Sequence, residues 1–375
     1  MARLGLGSEW QCLFANDFDA VKTAAYRSNF PDSEKHLHER DVWKIDVAEL
    51  PGRADLAWAS SPCQDFSLAG MRAGLEGGRS SAFFGFWKLV EALNRESRAP
   101  RTIVIENVVG LLTSHKGKDF QALCQALTDE GYWFGAIEVD AIRFVPQSRP
   151  RVFVVACREK PANTSTIVDA RLPYHSKRVT LAFDQLPSAL QQRWCWWSLP
   201  FPPRDNRKID SILDRDECSV WLPDERRDAL LSMLNPRHMK KLADAKLRKD
   251  RVVGTLFRRM RKENGVNVQR AELRFDGYAG CLRMPGGGSS RQFIVVVHGQ
   301  TVKVRPLSPS EGARMMGLSE DYRLPKGTTA SLKVLGDGVV VPVVRFLRTE
   351  LIEHLVEPLK SDPNDAEVLK LSNAG

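Results

Sequence analysis

A cysteine, a glutamate and two arginines stand where the sequence could bring them together for chemistry. Cys63 lies in Ser61-Pro62-Cys63-Gln64, directly after the apolar run ADLAWAS (54–60). A free cysteine is usually a buried structural thiol. Here Pro62 and the glycines that follow favour a loop, and a thiol on a loop at the end of a strand can act as a nucleophile.

Glu106 directly follows the core-like run RTIVI (101–105). A carboxylate at such a position is costly unless it has a role or a partner, so it is either a satisfied helix cap or a proton donor. Arg149 and Arg151 stand two apart in QSRPR (147–151), just before the strand-like VFVVA. On an extended segment they point to the same side, where they could bind a phosphate or orient a carboxylate.

Short apolar runs alternate with amphipathic stretches over the first half of the chain. The predicted helices are 19–29, 80–96 and 117–130, and the predicted strands are 11–15, 54–59, 101–105, 132–139 and 151–156. This alternation predicts an α/β fold with a doubly wound, mostly parallel sheet. Ligands of such sheets bind beyond the carboxyl ends of the strands, near 16–17, 60–64 and 106–107.

The pattern changes after residue 157. A second, smaller domain is predicted at 158–300, with a strongly basic stretch at 237–262, a Gly/Ser-rich loop at 283–291 and a strand at 293–297. The basic stretch is either a solvated helix or a set of phosphate contacts. Helices predicted at 309–316 and 342–356 place 301–357 back on the first domain, and 358–375 is a predicted tail.

Composition excludes several classes of protein. The 375 residues carry a net charge of +9, which suits an anionic partner but does not identify one. The seven cysteines form no CxxC pair and do not cluster with histidines, so neither a metal site nor a disulfide framework is predicted. The sequence shows neither a membrane-spanning run nor a signal pattern, which predicts a cytoplasmic protein.

Five motifs, in order, resemble the DNA cytosine-C5 methyltransferase family of the bacterial restriction–modification type. They are SSPCQDFSLAG (60–70), IENVVGLL (105–112), QSRPR (147–151), RPLSPSEGARMMGLSEDYRLP (305–325) and LKVLGDGVVVPVV (332–344). The resemblance covers about 1–157 and 300–357. It implies a Rossmann-like methyltransferase fold, with target recognition in the intervening domain.

The resemblance implies roles for the four residues named first. Cys63 would add to carbon 6 of cytosine, and Glu106 would protonate or hydrogen-bond N3. Arg151 would contact the base O2, while Arg149 would help to hold Glu106 and the backbone. The base must be flipped out of the duplex to be reached, and the glycine-rich stretch 64–79 would close over it.

The resemblance also implies S-adenosylmethionine as the methyl donor. Its predicted contacts are Asp17, Phe18, Asp46, Val47, Pro62, Ala82 and Asp337. Asp337 lies in Gly-Asp-Gly where the family has Gly-Asn-Ala, so an amide donor is lost there. The chain begins MARLGLGSEW, after the position of the family's first strand and Phe-x-Gly-x-Gly loop. A start codon assigned too late is the favoured explanation, with a truncated or a defective protein as alternatives.

The implied partner is double-stranded DNA, bound by a monomer without metal or membrane. A cognate restriction endonuclease acting on the same site is an open alternative. Two other functions also stay open, methylation of RNA and DNA binding without catalysis. The predicted DNA contacts are Gln64, Ser67, Arg79, Arg283 and Arg291.

Overall fold

The computed structural model describes residues 1–60, 82–161, 172–202, 204–215, 220–284 and 291–356. Its central sheet has the order β3-β4-β6-β5, formed by Leu56–Ala59, Thr102–Val108, Pro150–Cys157 and Trp133–Asp140. Strands β3 and β4 are parallel, and β6 is antiparallel to both of its neighbours. Three strands therefore share one direction, as predicted, whereas the reversal of β6 between β4 and β5 was not predicted.

Alternating side chains of the central sheet enter two separate cores. Ile103 and Ile105 pack on one face with helices α3 (Ala82–Arg95) and α4 (Lys118–Asp129). Val104 faces the other way, into a core that includes α11 (Val341–Leu347). Apolar layers on both faces make this a doubly wound α/β sheet, which agrees with the predicted fold class.

The first predicted strand is misplaced. β1 spans Ala15–Asp17 rather than 11–15, and it pairs in parallel with an unpredicted strand, β2 (Leu37–Glu39). The amide of Asn16 donates to the carbonyls of His38 and Arg40, at 3.0 and 2.8 Å, and fixes this register. Helix α2 (Ala20–Asn29) follows, capped at its N-terminus by Asp19. A short helix α1 (Ala2–Leu6) precedes β1.

A second sheet, wholly antiparallel, has the order β10-β9-β7-β8. Its strands are Thr301–Pro306, Gln292–His298, Val252–Glu263 and Val266–Arg274. Helices α7 (Asp224–Leu231) and α8 (Pro236–Lys246) lie beside it, and one face forms a third core with them. The possible basic helix at 237–262 is thus only half right, because the chain from residue 252 onward is strand.

The remaining helices pack on the central sheet or follow β10. Helices α5 (Lys177–Asp184) and α6 (Ser188–Gln191) pack on the central sheet, as does the fully buried Trp197. After β10 come α9 (Pro309–Met315), α10 (Thr328–Asp337), α11 and the short α12 (Glu353–Val356). No helix within the described ranges is both long and apolar enough to traverse a lipid bilayer.

Candidate active site

Glu106 lies near the end of β4, where the central strand reaches the edge of the sheet. Its side chain is 8% exposed and pairs with Arg151 of the antiparallel neighbour β6, with Oε1 2.9 Å from Nε. The register places Arg151 opposite Val108, so the arginine reaches back along the sheet to the carboxylate. The carboxylate that sequence analysis singled out is therefore buried with a cationic partner, which offsets part of the cost of its burial.

Arg149 has a different environment from Arg151. It is 3% exposed, and its guanidinium donates to the carbonyls of Leu282, Gly336 and Gly338 at 2.7–2.8 Å. Burial, and next the positive charge of Arg151, lower the pKa of Arg149. These hydrogen bonds tie the start of β6 to the segment after β8 and to the end of α10.

Two residues that sequence analysis did not commit to hold the QSRPR segment in place. Asp140 accepts the backbone N–H of Arg149 at 2.7 Å and the hydroxyl of Ser148 at 3.1 Å. The amide of the buried Gln147 donates to the carbonyl of Met315 and accepts the N–H of Leu282. Gln147 was visible within the motif, and Asp140 is the polar residue that ends the strand before it.

Cys281 also reaches this cluster, and sequence analysis gave no signal for it. Its Sγ is 3.1 Å from Nη1 of Arg149 and 3.9 Å from Nη2 of Arg151. It lies on the backbone segment 281–284 that leads from β8 toward β9. The segment after β8 thus meets the Glu106 cluster through Cys281.

Five predicted residues lie outside the described part of the chain: Cys63, Pro62, Gln64, Ser67 and Arg79. The strand that leads to them is described. In β3, Ala59 pairs in parallel with Ile105, the residue before Glu106. The chain therefore leaves β3 at the same sheet edge at which Glu106 stands.

The predicted donor-binding residues Asp17 and Phe18 lie at the junction of β1 and α2. The ring of Phe18 is 74% exposed. Asp17 Oδ1 accepts the N–H of Asp19 at 2.9 Å. Burial raises the pKa of Asp17, although the Asp19 N–H and the charge of Lys22 both lower it.

Lys22, which sequence analysis missed, contacts both Asp337 and Asp17. Lys22 Nζ is 2.8 Å from Asp337 Oδ2 and 4.0 Å from Asp17 Oδ2. Burial works against the ammonium, but the hydrogen bond to Asp337 and the charge of Asp17 raise the pKa of Lys22 overall. A second pair, Lys333 with Asp19, joins the same two helices.

The other predicted donor contacts lie on neighbouring elements. Asp46 caps the short helix Val47–Glu49, and its Oδ1 accepts the N–H of Ala48 at 2.9 Å. Ala82 is the first residue of α3. A Cβ on Gly85 of α3 would stand 2.5 Å from Val42, so this helix packs closely on the segment that leads to Asp46.

Arg283 and Arg291 flank a stretch outside the described ranges, and Arg283 is exposed. The backbone of Arg283 and Met284 touches α10, because a Cβ on Gly336 would stand 2.5 Å from the Met284 nitrogen. Glycine is therefore required where the backbone of Arg283 and Met284 meets the segment that carries Asp337. In the described ranges, His, Cys, Asp and Glu form no group that could hold a metal ion.

The central sheet with helices on both faces, and a carboxylate–guanidinium pair at its strand edge, define an α/β enzyme with an attached antiparallel domain. The model of the C-5 cytosine-specific DNA methylase family matches residues 2–353. The chain belongs to this family, whose members methylate carbon 5 of cytosine in DNA.

Curated relatives match over most of their length. Type II methyltransferase M.HhaI of Haemophilus parahaemolyticus is 23% identical over 90% of this chain and 86% of its own. Type II methyltransferase M.HpaII of Haemophilus parainfluenzae is 24% identical over 92% of this chain and 84% of its own. Among solved structures, DNMT2 of Spodoptera frugiperda, in mutant form, has a TM-score of 0.54 at 17% identity, covering 95% of both chains. That likeness supports the same fold.

Proposed function

We propose that this enzyme transfers a methyl group from S-adenosylmethionine to carbon 5 of a flipped-out cytosine in duplex DNA, through a covalent bond between Cys63 and carbon 6. The observation that carries the proposal is the sheet edge shared by Glu106 and the end of β3. Only three residues separate Cys63 from Ala59 in the sequence. We therefore assign the nucleophile to the segment that follows β3 and the acid to β4, its parallel neighbour.

Glu106 answers a specific chemical need in this reaction. Carbon 5 of cytosine is a poor nucleophile until a thiolate adds to carbon 6, when electron density moves toward N3 and carbon 5. A carboxyl group that donates a proton or hydrogen bond to N3 stabilises this adduct. Carbon 5 then takes the methyl group, a base removes the proton at carbon 5, and the carbon–sulfur bond breaks to release Cys63.

We assign different positioning roles to Arg151 and Arg149. Arg151 pairs with Glu106 through Nε, so part of its guanidinium stays available to the O2 of the base. Nη1 and Nη2 of Arg149 donate hydrogen bonds to backbone carbonyls and to the thiol of Cys281. We assign it to fixing the backbone around the cluster.

The chain offers a fitting site for the methyl donor, whose activated methyl group reacts with a carbon nucleophile. The exposed ring of Phe18 can stack an adenine. Next to it, Asp17 Oδ2 lies 4.0 Å from Lys22, which leaves this oxygen able to accept a ribose hydroxyl. Asp46, Val47, Pro62, Ala82 and Asp337 are the remaining proposed contacts.

We assign recognition of the DNA target to the domain predicted at 158–300. Arg283 and Arg291 are proposed DNA contacts, together with Gln64, Ser67 and Arg79. We further propose a monomeric enzyme in the cytoplasm. Its relatives include both type II and orphan methyltransferases, so a cognate restriction endonuclease acting on the same site stays an open alternative.

The decisive experiment compares Cys63→Ala with Cys124→Ala. Both remove one thiol, but Cys124 lies on α4 in the apolar core and outside the Glu106 cluster. We expect Cys63→Ala to abolish methyl transfer to duplex DNA while DNA affinity is retained, and Cys124→Ala to keep most of the parent's rate. Equal rates for the parent and Cys63→Ala would refute the covalent mechanism.

Two further readouts separate the alternatives. A duplex with 5-fluorocytosine should trap the parent, but not Cys63→Ala, in a complex that survives denaturation. A base can remove hydrogen from carbon 5 as a proton but cannot remove fluorine, so the bond to Cys63 does not break. Donor binding is measured by calorimetry. Transfer to tRNA instead of duplex DNA would favour an RNA methyltransferase, and DNA binding without donor binding would favour a non-catalytic protein.

A further inference from the structure

One residue of the donor side departs from the family that the chain belongs to. Asp337 ends α10 in Gly-Asp-Gly, where the family has Gly-Asn-Ala. An asparagine amide both accepts and donates hydrogen bonds, whereas an ionised carboxylate only accepts them. The exchange therefore removes a hydrogen-bond donor from position 337 and adds a negative charge, which repels the neighbouring carboxylate of Asp17.

Lys22 brings a hydrogen-bond donor to this place from a different helix. It extends from α2, and its Nζ lies 2.8 Å from Asp337 Oδ2 and 4.0 Å from Asp17 Oδ2. Burial disfavours the ammonium, but the hydrogen bond to Asp337 and the charge of Asp17 raise the pKa of Lys22 overall. One cation is thus shared by two carboxylates, and the group of three side chains keeps a single negative charge.

The ammonium of Lys22 can make one more hydrogen bond. A lysine carries three N–H donors. Among the residues that the structure describes, the Lys22 side chain pairs only with the carboxylates of Asp17 and Asp337. One N–H therefore stays available for an oxygen atom of a bound molecule.

The backbone around Asp337 is fixed independently of Lys22. The carbonyls of Gly336 and Gly338 accept hydrogen bonds from Arg149 at 2.8 and 2.7 Å. The segment 336–338 is therefore held at its backbone from the base side and at the Asp337 side chain from the donor side. Loss of the Lys22 ammonium should free the Asp337 carboxylate while the backbone stays in place.

We propose that Lys22 is a positioning residue of the methyl-donor site, where it replaces the amide that is lost at position 337 and holds the carboxylates of Asp17 and Asp337 in place for S-adenosylmethionine. Lys22 lies outside the sequence motifs, and its assignment rests on the proposed function. Lys22 and Asp337 act as one unit, because the ammonium supplies the hydrogen-bond donor and neutralises the added charge. The single negative charge that remains on the group suits a molecule with a sulfonium cation.

The test is a mutational cycle on Lys22 and Asp337, read by calorimetry of S-adenosylmethionine binding to the full chain without DNA. Lys22→Met keeps an unbranched apolar stem but leaves two carboxylates without their cation, so we expect binding to weaken about tenfold. Asp337→Asn alone should cost little, since its amide oxygen can still accept from Lys22. In the double variant the amide is present again and one unpaired carboxylate is gone, so most of the lost affinity should return.

Lys333→Met is the matched control for Lys22→Met. Lys333 pairs with Asp19 between the same two helices and is about as exposed as Lys22, at 30% and 29%, but neither Lys333 nor Asp19 is assigned to the methyl donor. Lys333→Met should lower the stability of the unliganded protein about as much as Lys22→Met and leave the affinity for S-adenosylmethionine unchanged. Urea denaturation measures this stability.

Three results would overturn the assignment of Lys22. They are parent-like affinity in Lys22→Met, an equal loss of affinity in Lys22→Met and Lys333→Met, and a double variant that binds no better than Lys22→Met. In each of them the parent binds S-adenosylmethionine, so the proposed function stands. A parent that binds no S-adenosylmethionine would overturn the proposed function together with the role of Lys22.

Discussion

The two halves of the candidate active site are built in opposite ways. On the base side, Glu106, Arg149 and Arg151 are buried and held by the sheet or by backbone carbonyls. On the donor side, Phe18 is largely exposed and Asp17 is held near Asp337 by Lys22. The first half is fixed by burial, and the second by ion pairs within reach of water.

This difference has consequences for how each half responds to change. Polar groups buried among backbone partners are costly to disturb, since a removed partner leaves an unsatisfied carbonyl or charge. Partly exposed ion pairs are screened by water and salt and tolerate substitution better. Mutations should therefore have large effects on the base side and smaller, condition-dependent effects on the donor side.

The largest expected effect is on catalysis by Glu106. Glu106→Gln retains the shape and burial of the side chain but cannot donate an ionisable proton to N3. We expect the rate of methyl transfer to fall by about 10²- to 10⁴-fold, the usual contribution of an acid catalyst. The measurement is single-turnover transfer to duplex DNA at saturating donor.

Glu138→Gln provides a matched control for this experiment. Glu138 also lies on the central sheet and pairs with an arginine, Arg178, but its contacts are with α5 and the segment before it. It should leave the rate close to that of the parent. A parent-like rate for Glu106→Gln, or equal losses in both variants, would show that the carboxylate at 106 has no chemical role.

The next effect is on stability and separates the two arginines. Arg149→Lys keeps the charge, but a compact ammonium cannot span the carbonyls of Leu282 and of Gly336 and Gly338. With two charged hydrogen bonds lost, we expect the free energy of unfolding to fall by about 3 kcal/mol or more. Urea denaturation measures it.

Arg151→Lys is the comparison for Arg149→Lys, because the same exchange is made two residues further along the chain, inside β6. Its lysine can still pair with Glu106, so we expect a loss of about 1 kcal/mol in stability. Its transfer rate should nevertheless fall, since an ammonium that pairs with Glu106 lacks the planar guanidinium that we assign to the O2 of the base. Equal destabilisation by the two substitutions would mean that the backbone contacts of Arg149 carry no special weight.

The sequence was most informative where structure is local. Strands β3 to β6 and helices α2 to α4 were predicted to within a few residues, because β-branched runs and amphipathic stretches are bounded there by polar or Gly/Pro residues. Glu106, Arg149 and Arg151 were found for the same reason, since each stands at the boundary of a predicted strand.

Long-range features could not be found in this way. The place of β6 between β4 and β5 depends on packing of the whole sheet, and Lys22 meets Asp337 across almost the full length of the chain. The hairpin formed by β7 and β8 could have been found. Asn264-Gly265 is a hairpin signal that was present in the sequence, but the surrounding run of cations hid the alternation that would have identified β7.

The smallest expected effect is on stability and concerns Asp17. It tests whether the donor side depends on the charge of Asp17 or is fixed by backbone contacts, as the base side is. Because burial raises the pKa of Asp17 above its ordinary 3.8, the folded state binds the proton more tightly than the unfolded state. The stabilisation by Asp17 is therefore complete below pH 3.8 and is lost as the pH rises through the folded-state pKa. Asp17→Asn should then stabilise the protein at pH 7, by at most about 1 kcal/mol because the side chain is 34% exposed.

Thermal unfolding of the parent and Asp17→Asn between about pH 4 and pH 8 measures this difference. The gain should shrink as the pH falls toward 3.8. Lys22→Met supplies the control, because the charge of Lys22 lowers the pKa of Asp17. In that background the gain should begin to shrink at a higher pH. A stability gain from Asp17→Asn that is independent of pH in both backgrounds would mean that the pKa of Asp17 does not change on folding. The donor side would then resemble the base side, since contacts rather than charge would fix it.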